Sequence, residues 1–289
     1  MTVETTRANG IEFAYLAEGP ADGPLALCLH GFPDSAATWR HLLPRLAEAG
    51  FRAVAPWMRG YHPTGPAPDG RYQRGALAAD ALALHEALGG DERAVIVGHD
   101  WGAIATYGGV AAAPERWHRA VTIAVPPLAA AGAALTSYEQ LRRSFYIFVF
   151  QTPLAEGVVA ADDFSFIDKL WRDWSPGYDA AEDLTAVKDA LRPPDCLAAA
   201  IGYYRAMLQP DVLDPTLADL EAAAFQPMPV PTLYLHGDQD GAFRTDLSMV
   251  EQHLPEGSEV EEVPNTGHFL HLEDPGWVGK RVVEFLGRE

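Results

Sequence analysis

The chain has few cysteines and no long apolar run. It holds only Cys28 and Cys196 in 289 residues, and Cys28 lies within the apolar stretch Leu-Ala-Leu-Cys-Leu, so we expect buried thiols rather than a disulfide framework. No stretch approaches the roughly 20 apolar residues of a membrane helix, and the N-terminus lacks a basic start followed by an apolar segment. The sequence therefore predicts no membrane partner, and we expect a cytoplasmic location.

Basic residues are also scarce. There are 21 Lys and Arg residues against 40 Asp and Glu residues, which gives a net charge of −19. Such a surface repels nucleic acid phosphates and anionic lipids, which excludes nucleic acid as a partner and favours a small neutral or apolar substrate. The length and the 48% hydrophobic content suffice for one large α/β domain or two smaller ones. A homodimer is compatible with this composition.

The apolar pattern predicts a mostly parallel sheet flanked by helices. An Asn-Gly turn at residues 9–10 joins two alternating segments as a hairpin. Short apolar runs follow, and they alternate with helical segments, a rhythm typical of the α/β class. The predicted strands are 25–29, 52–56, 94–98, 120–125 and 232–237. The predicted helices are 35–49, 73–88, 101–112, 245–253 and 275–286.

A long helical insertion interrupts this rhythm. Residues 128–225 give no strand signal and are rich in alanine and aromatic residues. An insertion between two parallel strands can cover their carboxyl ends, where such sheets bind ligands. We therefore predict a first core segment at 1–127, a helical cap at 128–225 and a second core segment at 226–289. A helical domain remote from the site is the alternative.

Asp100 interrupts an apolar run at the end of a predicted strand. Gly98 and Gly102 flank it with the Gly-x-nucleophile-x-Gly spacing of a nucleophile elbow. A carboxylate that attacked a carbonyl group would form an anhydride, whereas attack on a saturated carbon forms an ordinary ester. The motif thus favours covalent alkyl transfer from an activated C–O or C–halogen bond. A simple helix N-cap is the alternative role for Asp100.

The other members of a catalytic triad should follow as an acid and then a histidine. Asp238 and Asp240 follow the strand at 232–237, and His268 and His271 lie in the last loop. We favour Asp240 for its reach beyond the strand and His268 for its place directly after Gly267. Metal binding by His268 and His271 is a weak alternative, because no further cluster of metal-ligating residues accompanies them in the sequence.

Upstream, the strand at 25–29 leads into His-Gly-Phe-Pro. The backbone N–H groups of Phe32 and Trp101 could together form an oxyanion hole. We expect His30 to hold this loop by hydrogen bonds rather than to act in catalysis.

The motifs HGFP, RGY, GHDWG, GDQD and GHF resemble the α/β-hydrolase superfamily and, within it, the epoxide hydrolases. This resemblance spans nearly the whole chain. It implies that two cap tyrosines hydrogen-bond the epoxide oxygen, and the matching residues are Tyr146, in YIFVFQTP, and Tyr204, in a Tyr-Arg pair. Tyr203 competes for the second role. Haloalkane dehalogenases share GHDWG, but they carry Asn where this chain has Phe32.

The resemblance implies an epoxide hydrolase that needs no metal and no organic cofactor. Asp100 would open a small apolar epoxide, and water activated by His268 and oriented by Asp240 would release a vicinal diol. Five aromatic residues of the predicted cap indicate an apolar substrate, although they could simply pack the cap. These residues are Phe145, Phe148, Phe150, Trp171 and Trp174. A haloalkane dehalogenase and a non-catalytic ligand sensor remain the alternatives.

Overall fold

A computed structural model describes residues 2–134, 137–244 and 246–288. The described chain contains an eight-stranded sheet in the order β1-β2-β4-β3-β5-β6-β7-β8. The strands are β1 (Val3–Ala8), β2 (Ile11–Glu18), β3 (Leu25–Leu29), β4 (Arg52–Pro56), β5 (Val95–His99), β6 (Arg119–Ile123), β7 (Thr232–Gly237) and β8 (Glu259–Val263). The pairs β1–β2 and β2–β4 are antiparallel, and the pairs from β4 to β8 are parallel. The predicted α/β architecture is confirmed.

The local sequence explains these strands. Every residue of β3, β5, β6 and β7 is buried, as expected for parallel strands that are covered on both faces. Asn9 and Gly10 adopt positive φ angles of 45° and 75°, which a tight hairpin turn between β1 and β2 requires. Because β4 and β5 lie on opposite sides of β3, the chain changes direction across the sheet there, and such a switch point opens a crevice at the carboxyl ends of the strands.

Helices cover both faces of the sheet. One apolar cluster lies beneath α1 and α13, and a larger cluster joins α2 and α3 to the inserted helices. The helices are α1 (Leu42–Glu48), α2 (Arg74–Ala87), α3 (Trp101–Ala112), α4 (Leu128–Ala134), α5 (Tyr138–Arg143), α6 (Phe145–Val149), α7 (Ala155–Trp174), α8 (Ala181–Leu191), α9 (Pro194–Leu208), α10 (Ala218–Ala223), α11 (Leu247–Glu251), α12 (Leu270–Glu273) and α13 (Pro275–Leu286). Within the described ranges, none is both long and apolar enough to cross a bilayer.

Three elements differ from the sequence prediction. The helix predicted at 35–49 is a 3₁₀ helix at Ala36–His41 followed by the shorter α1. Strand β8 was not predicted, because three of its five residues are glutamates; it is an edge strand, and Arg281 of α13 pairs with Glu259 and Glu261. The helix predicted at 245–253 is the shorter α11, which begins after its cap Asp246. The first residue of that predicted helix, Thr245, lies outside the described residues.

The described part of the insertion between β6 and β7 consists of helices α4 to α10 and the turns that connect them, without a strand. Its buried aromatic residues join the apolar cluster on one face of the sheet, and its backbone at Trp174 contacts the loops that follow β7 and β8. The insertion therefore lies against the carboxyl ends of these strands. The division at residues 127 and 225 stays a prediction.

Candidate active site

Asp100 lies at the turn between β5 and α3, with φ of 52° and ψ of −116°. The two flanking glycines make this turn sterically feasible: a Cβ on Gly98 would lie 2.2 Å from the Gly102 carbonyl oxygen, and one on Gly102 would lie 2.0 Å from that of Leu29. The Asp100 side chain makes no capping hydrogen bond to α3. The carboxylate thus stands at the carboxyl end of the sheet, in a strained backbone conformation of the kind found at functional sites.

The loop after β3 holds one oxygen of this carboxylate. The Phe32 N–H donates to Asp100 Oδ1 over 2.7 Å, and a Cβ on Gly31 would lie 2.3 Å from the same oxygen. Glycine at position 31 therefore allows the loop to approach closely. The contribution of the Trp101 N–H to an oxyanion hole stays a prediction.

His30 is fully buried beside this loop. Its Nε2 accepts from the Met58 N–H over 3.0 Å, so its Nδ1 carries the proton and donates to the Gly31 carbonyl over 2.9 Å. Burial lowers the pKa of His30, which favours this neutral form. His30 lies outside the cavity lining, and its contacts fix the loop.

His268 contacts Asp240 through one ring nitrogen and lies near Asp100 with the other. His268 Nδ1 lies 2.9 Å from Asp240 Oδ2, and its Nε2 lies 3.7 Å from Asp100 Oδ2. The other oxygen of Asp240 accepts from the N–H groups of Ala242 and Phe243 over 2.7 and 3.0 Å. Asp238 is exposed. The structure therefore brings Asp240, rather than Asp238, to the histidine.

The two carboxylates determine the charge of His268. Burial by itself would lower the pKa of this imidazole, but the charges and hydrogen bonds of Asp240 and Asp100 outweigh burial and raise the pKa to about 10. Burial raises the pKa of Asp240, and the neighbouring His268 more than compensates, so the net shift is downward. At neutral pH an imidazolium thus lies between two carboxylates.

The second candidate histidine lies elsewhere. His271 Nε2 is 2.6 Å from the Thr38 hydroxyl, and one nitrogen each of His271 and His99 and an oxygen of Asp34 lie within 4.8 Å of one another. This is the one group in the described chain that could hold a metal. Within this group, His99 Nδ1 lies 3.6 Å from Asp34 Oδ2.

Tyr146 of α6 and Tyr204 of α9 face Asp100 and His268 across one cavity. Their ring centroids are 5.5 Å apart, and the Tyr204 hydroxyl has no hydrogen-bond partner among the described residues. Burial raises the pKa of both phenols, so both are neutral donors at pH 7. The Tyr203 hydroxyl instead donates to the Arg59 carbonyl over 2.6 Å, outside the cavity lining.

The rest of the cavity wall is mostly apolar, with Ser144 as a further polar residue. The cavity volume is about 80 Å³. The apolar lining residues beyond the predicted set are Ile104, Val125, Leu128, Ala131, Ile147, Met207, Ala242 and Phe243. None of the five cap aromatics named from the sequence lines it: Phe145 and Phe148 are about half exposed, and Phe150, Trp171 and Trp174 are buried between the cap and the loops of the sheet. Of the two roles left open for these aromatics, packing is the one that the structure supports, and other residues supply the apolar lining, because composition cannot distinguish a cavity wall from a core.

Comparisons with known proteins agree with this geometry. A family model described as alpha/beta hydrolase fold matches residues 24–275. The chain is similar to epoxide hydrolase 3 of Xenopus tropicalis, with 31% identity over 96% of this chain and 75% of the relative. The mouse epoxide hydrolase 3 is 30% identical over 99% of this chain and 77% of the relative.

The solved structures give the same result. The crystal structure of Bacillus megaterium epoxide hydrolase in complex with an inhibitor superimposes with a TM-score of 0.82 at 26% identity, over 99% of this chain and all of the other. The chain is therefore a hydrolase that belongs to the α/β-hydrolase family and, within it, to the epoxide hydrolase family.

Proposed function

We propose that this protein hydrolyses small apolar epoxides to vicinal diols through a covalent ester on Asp100. One observation carries the proposal: within a single apolar cavity, an aspartate at a nucleophile elbow faces two neutral phenols and lies beside a histidine–aspartate pair. The relatives named epoxide hydrolases support the substrate class.

In the first step, Asp100 Oδ2 attacks a ring carbon of the epoxide and the carbon–oxygen bond on that carbon breaks. Oδ2 is the free oxygen, because Oδ1 accepts the Phe32 N–H. The ring oxygen leaves as an alkoxide and requires proton donors. Tyr146 and Tyr204 supply them, since both phenols are buried and neutral. A hydroxyalkyl ester of Asp100 results.

In the second step, water attacks the carboxyl carbon of this ester. His268 Nε2, 3.7 Å from Asp100 Oδ2, removes the proton from that water. Negative charge then develops on Oδ1, which the Phe32 N–H stabilises. The tetrahedral intermediate expels the alkoxide that carries the former Oδ2, and the His268 imidazolium protonates it to the diol. The oxygen of water stays in the Asp100 side chain, whose remaining proton returns to His268.

Ester formation also prepares His268 for this task. The charge of Asp100 is one of the causes that raise the pKa of His268 to about 10, and esterification removes that charge. The imidazolium can then lose its proton to the phenolate left by ring opening, and the neutral imidazole is the base. The proton thus leaves His268 when the second step requires a base.

The test is diol formation across a panel of terminal, internal and aryl epoxides, with halide release from haloalkanes measured in parallel. We expect diol from small aliphatic epoxides, and we expect this activity to require Tyr146 and Tyr204. Halide release that survives Tyr146→Phe with Tyr204→Phe, without diol from any epoxide, would replace the proposal by a haloalkane dehalogenase. No product from either panel would favour a ligand sensor.

A further inference from the structure

The end of helix α7, in the inserted segment, contacts both loops that carry the acid and the base. The Trp174 carbonyl accepts two hydrogen bonds of 3.0 Å, one from the Gly241 N–H and one from the His268 N–H. These donors are the residue after Asp240 and His268 itself. One carbonyl of the insertion therefore links the acid loop to the base loop.

Ser175 continues this link. Its hydroxyl accepts from the Phe269 N–H over 3.0 Å and donates to Glu273 over 2.7 Å. Glu273 in turn accepts from the Gly267 N–H over 2.9 Å. The backbone N–H groups of residues 267–269 thus donate to Glu273, Trp174 and Ser175, respectively. We call these three acceptor residues the cap bracket.

Two glycines make room for this contact. A Cβ on Gly241 would lie 1.9 Å from the Asp173 carbonyl oxygen, and a Cβ on Gly267 would lie 2.5 Å from Ser175 Cα. Both clashes involve backbone or Cα atoms, which cannot rotate away. The two loops therefore approach the end of α7 more closely than any other residue type would allow.

Helix α5 holds the acid loop from another side. The Gln140 side chain donates to the Ala242 carbonyl over 2.8 Å and accepts from the Arg244 N–H over 3.1 Å. Arg143 donates to the Asp240 carbonyl over 3.1 Å. Two separate helices of the insertion thus fix the loop on which Asp240 lies.

We propose that Ser175 is a positioning residue that, through the cap bracket, aligns His268 with Asp240. This inference rests on the proposed function for its kinetic part. Asp100 depends on the β5–α3 turn, and the two phenols depend on α6 and α9, so ester formation does not use the bracket. Ester hydrolysis requires an aligned His268. Loss of the Ser175 hydroxyl therefore slows the second step selectively.

The first test does not depend on epoxide chemistry. It uses Ser175→Ala, with Ser165→Ala as the matched control. Ser165 is a half-buried serine of α7, which ends one residue before Ser175, and it makes no side-chain hydrogen bond in the described chain. Proton NMR at pH 7 should show the strongly deshielded Nδ1–H proton between His268 and Asp240 in the wild type and the control. In Ser175→Ala we expect this signal to shift upfield or to broaden by exchange, with an unchanged circular dichroism spectrum. An unchanged signal overturns the inference.

The second test separates the two chemical steps by rapid quench with excess enzyme. We expect Ser175→Ala to form the Asp100 ester within about twofold of the wild-type rate and to hydrolyse it about tenfold more slowly. Equal slowing of both steps would indicate a merely structural role and would overturn the inference. Should Ser175→Ala not fold, Glu273→Gln weakens the same bracket, and the same split is expected. Should the wild type turn over no epoxide, the proposed function fails, and the NMR comparison still decides the role of Ser175.

Discussion

The two walls of the cavity differ in charge. The core wall holds ions: Asp100 and His268 line the cavity, and Asp240 lies behind His268. The cap wall is mostly apolar and offers neutral hydroxyls only, those of Tyr146, Tyr204 and Ser144. The ions suit the formation and hydrolysis of an ester, and the phenols suit protonation of a leaving oxygen. We therefore expect the core wall to form and hydrolyse the ester bond and the cap wall to protonate the oxygen of the broken ring bond. The following substitutions test this division.

The largest effect should come from the core wall at Asp100. Asp100→Asn keeps an oxygen for the Phe32 N–H but removes the nucleophile, so we expect diol formation to fall on the order of 10⁵-fold. Steady-state turnover of an epoxide measures this loss. Asp238→Asn, an exposed aspartate beyond β7, is the control and should retain full turnover. Substantial diol formation by Asp100→Asn would show that the core wall forms no ester.

Removal of the base should give a somewhat smaller effect. His268→Gln lacks the group that activates water, so we expect turnover to fall about 10³-fold while the ester forms and persists. Intact-protein mass spectrometry should then detect an adduct with the mass of the substrate. Asp240→Asn should reduce turnover in the same direction, since the imidazole loses its ionic partner. Slow turnover without any adduct would contradict the division between two steps.

Substitution in the cap wall should affect the first step most. Tyr146→Phe together with Tyr204→Phe removes both proton donors, so we expect ester formation to slow by about 10²- to 10³-fold, with less for each single substitution. Tyr203→Phe is the matched control: it loses its bond to the Arg59 carbonyl, about 1 kcal/mol of stability, and keeps normal kinetics. If Tyr203→Phe slowed ester formation and Tyr204→Phe did not, the two neighbours would exchange roles.

The smallest effect concerns stability in the core wall. The pKa of His268 is raised from its ordinary 6.5 to about 10, so the folded state binds this proton more tightly than the unfolded chain does. The resulting stabilisation is complete below about pH 6.5 and is lost as the pH rises towards 10. Denaturant titrations should show the wild type losing on the order of 3 kcal/mol more than His268→Gln over that range. Parallel pH profiles would mean that the two carboxylates do not hold an imidazolium.

The two walls also differed in how far the sequence could predict them. The core wall follows strands of the sheet, and the Gly-x-Asp-x-Gly spacing and the order of acid and histidine located its residues, although only burial and contact separate Asp240 from Asp238. In the cap wall, the tyrosines came from a resemblance alone. The apolar lining of the cavity could not be predicted, because residues such as Ile104 and Met207 are of the same types, and occur at the same helical spacing, as residues of the core. Strand β8 was missed because its glutamates are untypical of a strand, and local sequence does not reveal that Arg281, in a later helix, pairs with two of the three.

The most direct test of the central claim is a single turnover in water enriched in oxygen-18, with enzyme in excess over epoxide. The account predicts that the first diol contains no heavy oxygen and that the label appears in the peptide that carries Asp100. A labelled first diol with an unlabelled Asp100 would mean that water attacks the epoxide directly, and it would contradict the covalent ester.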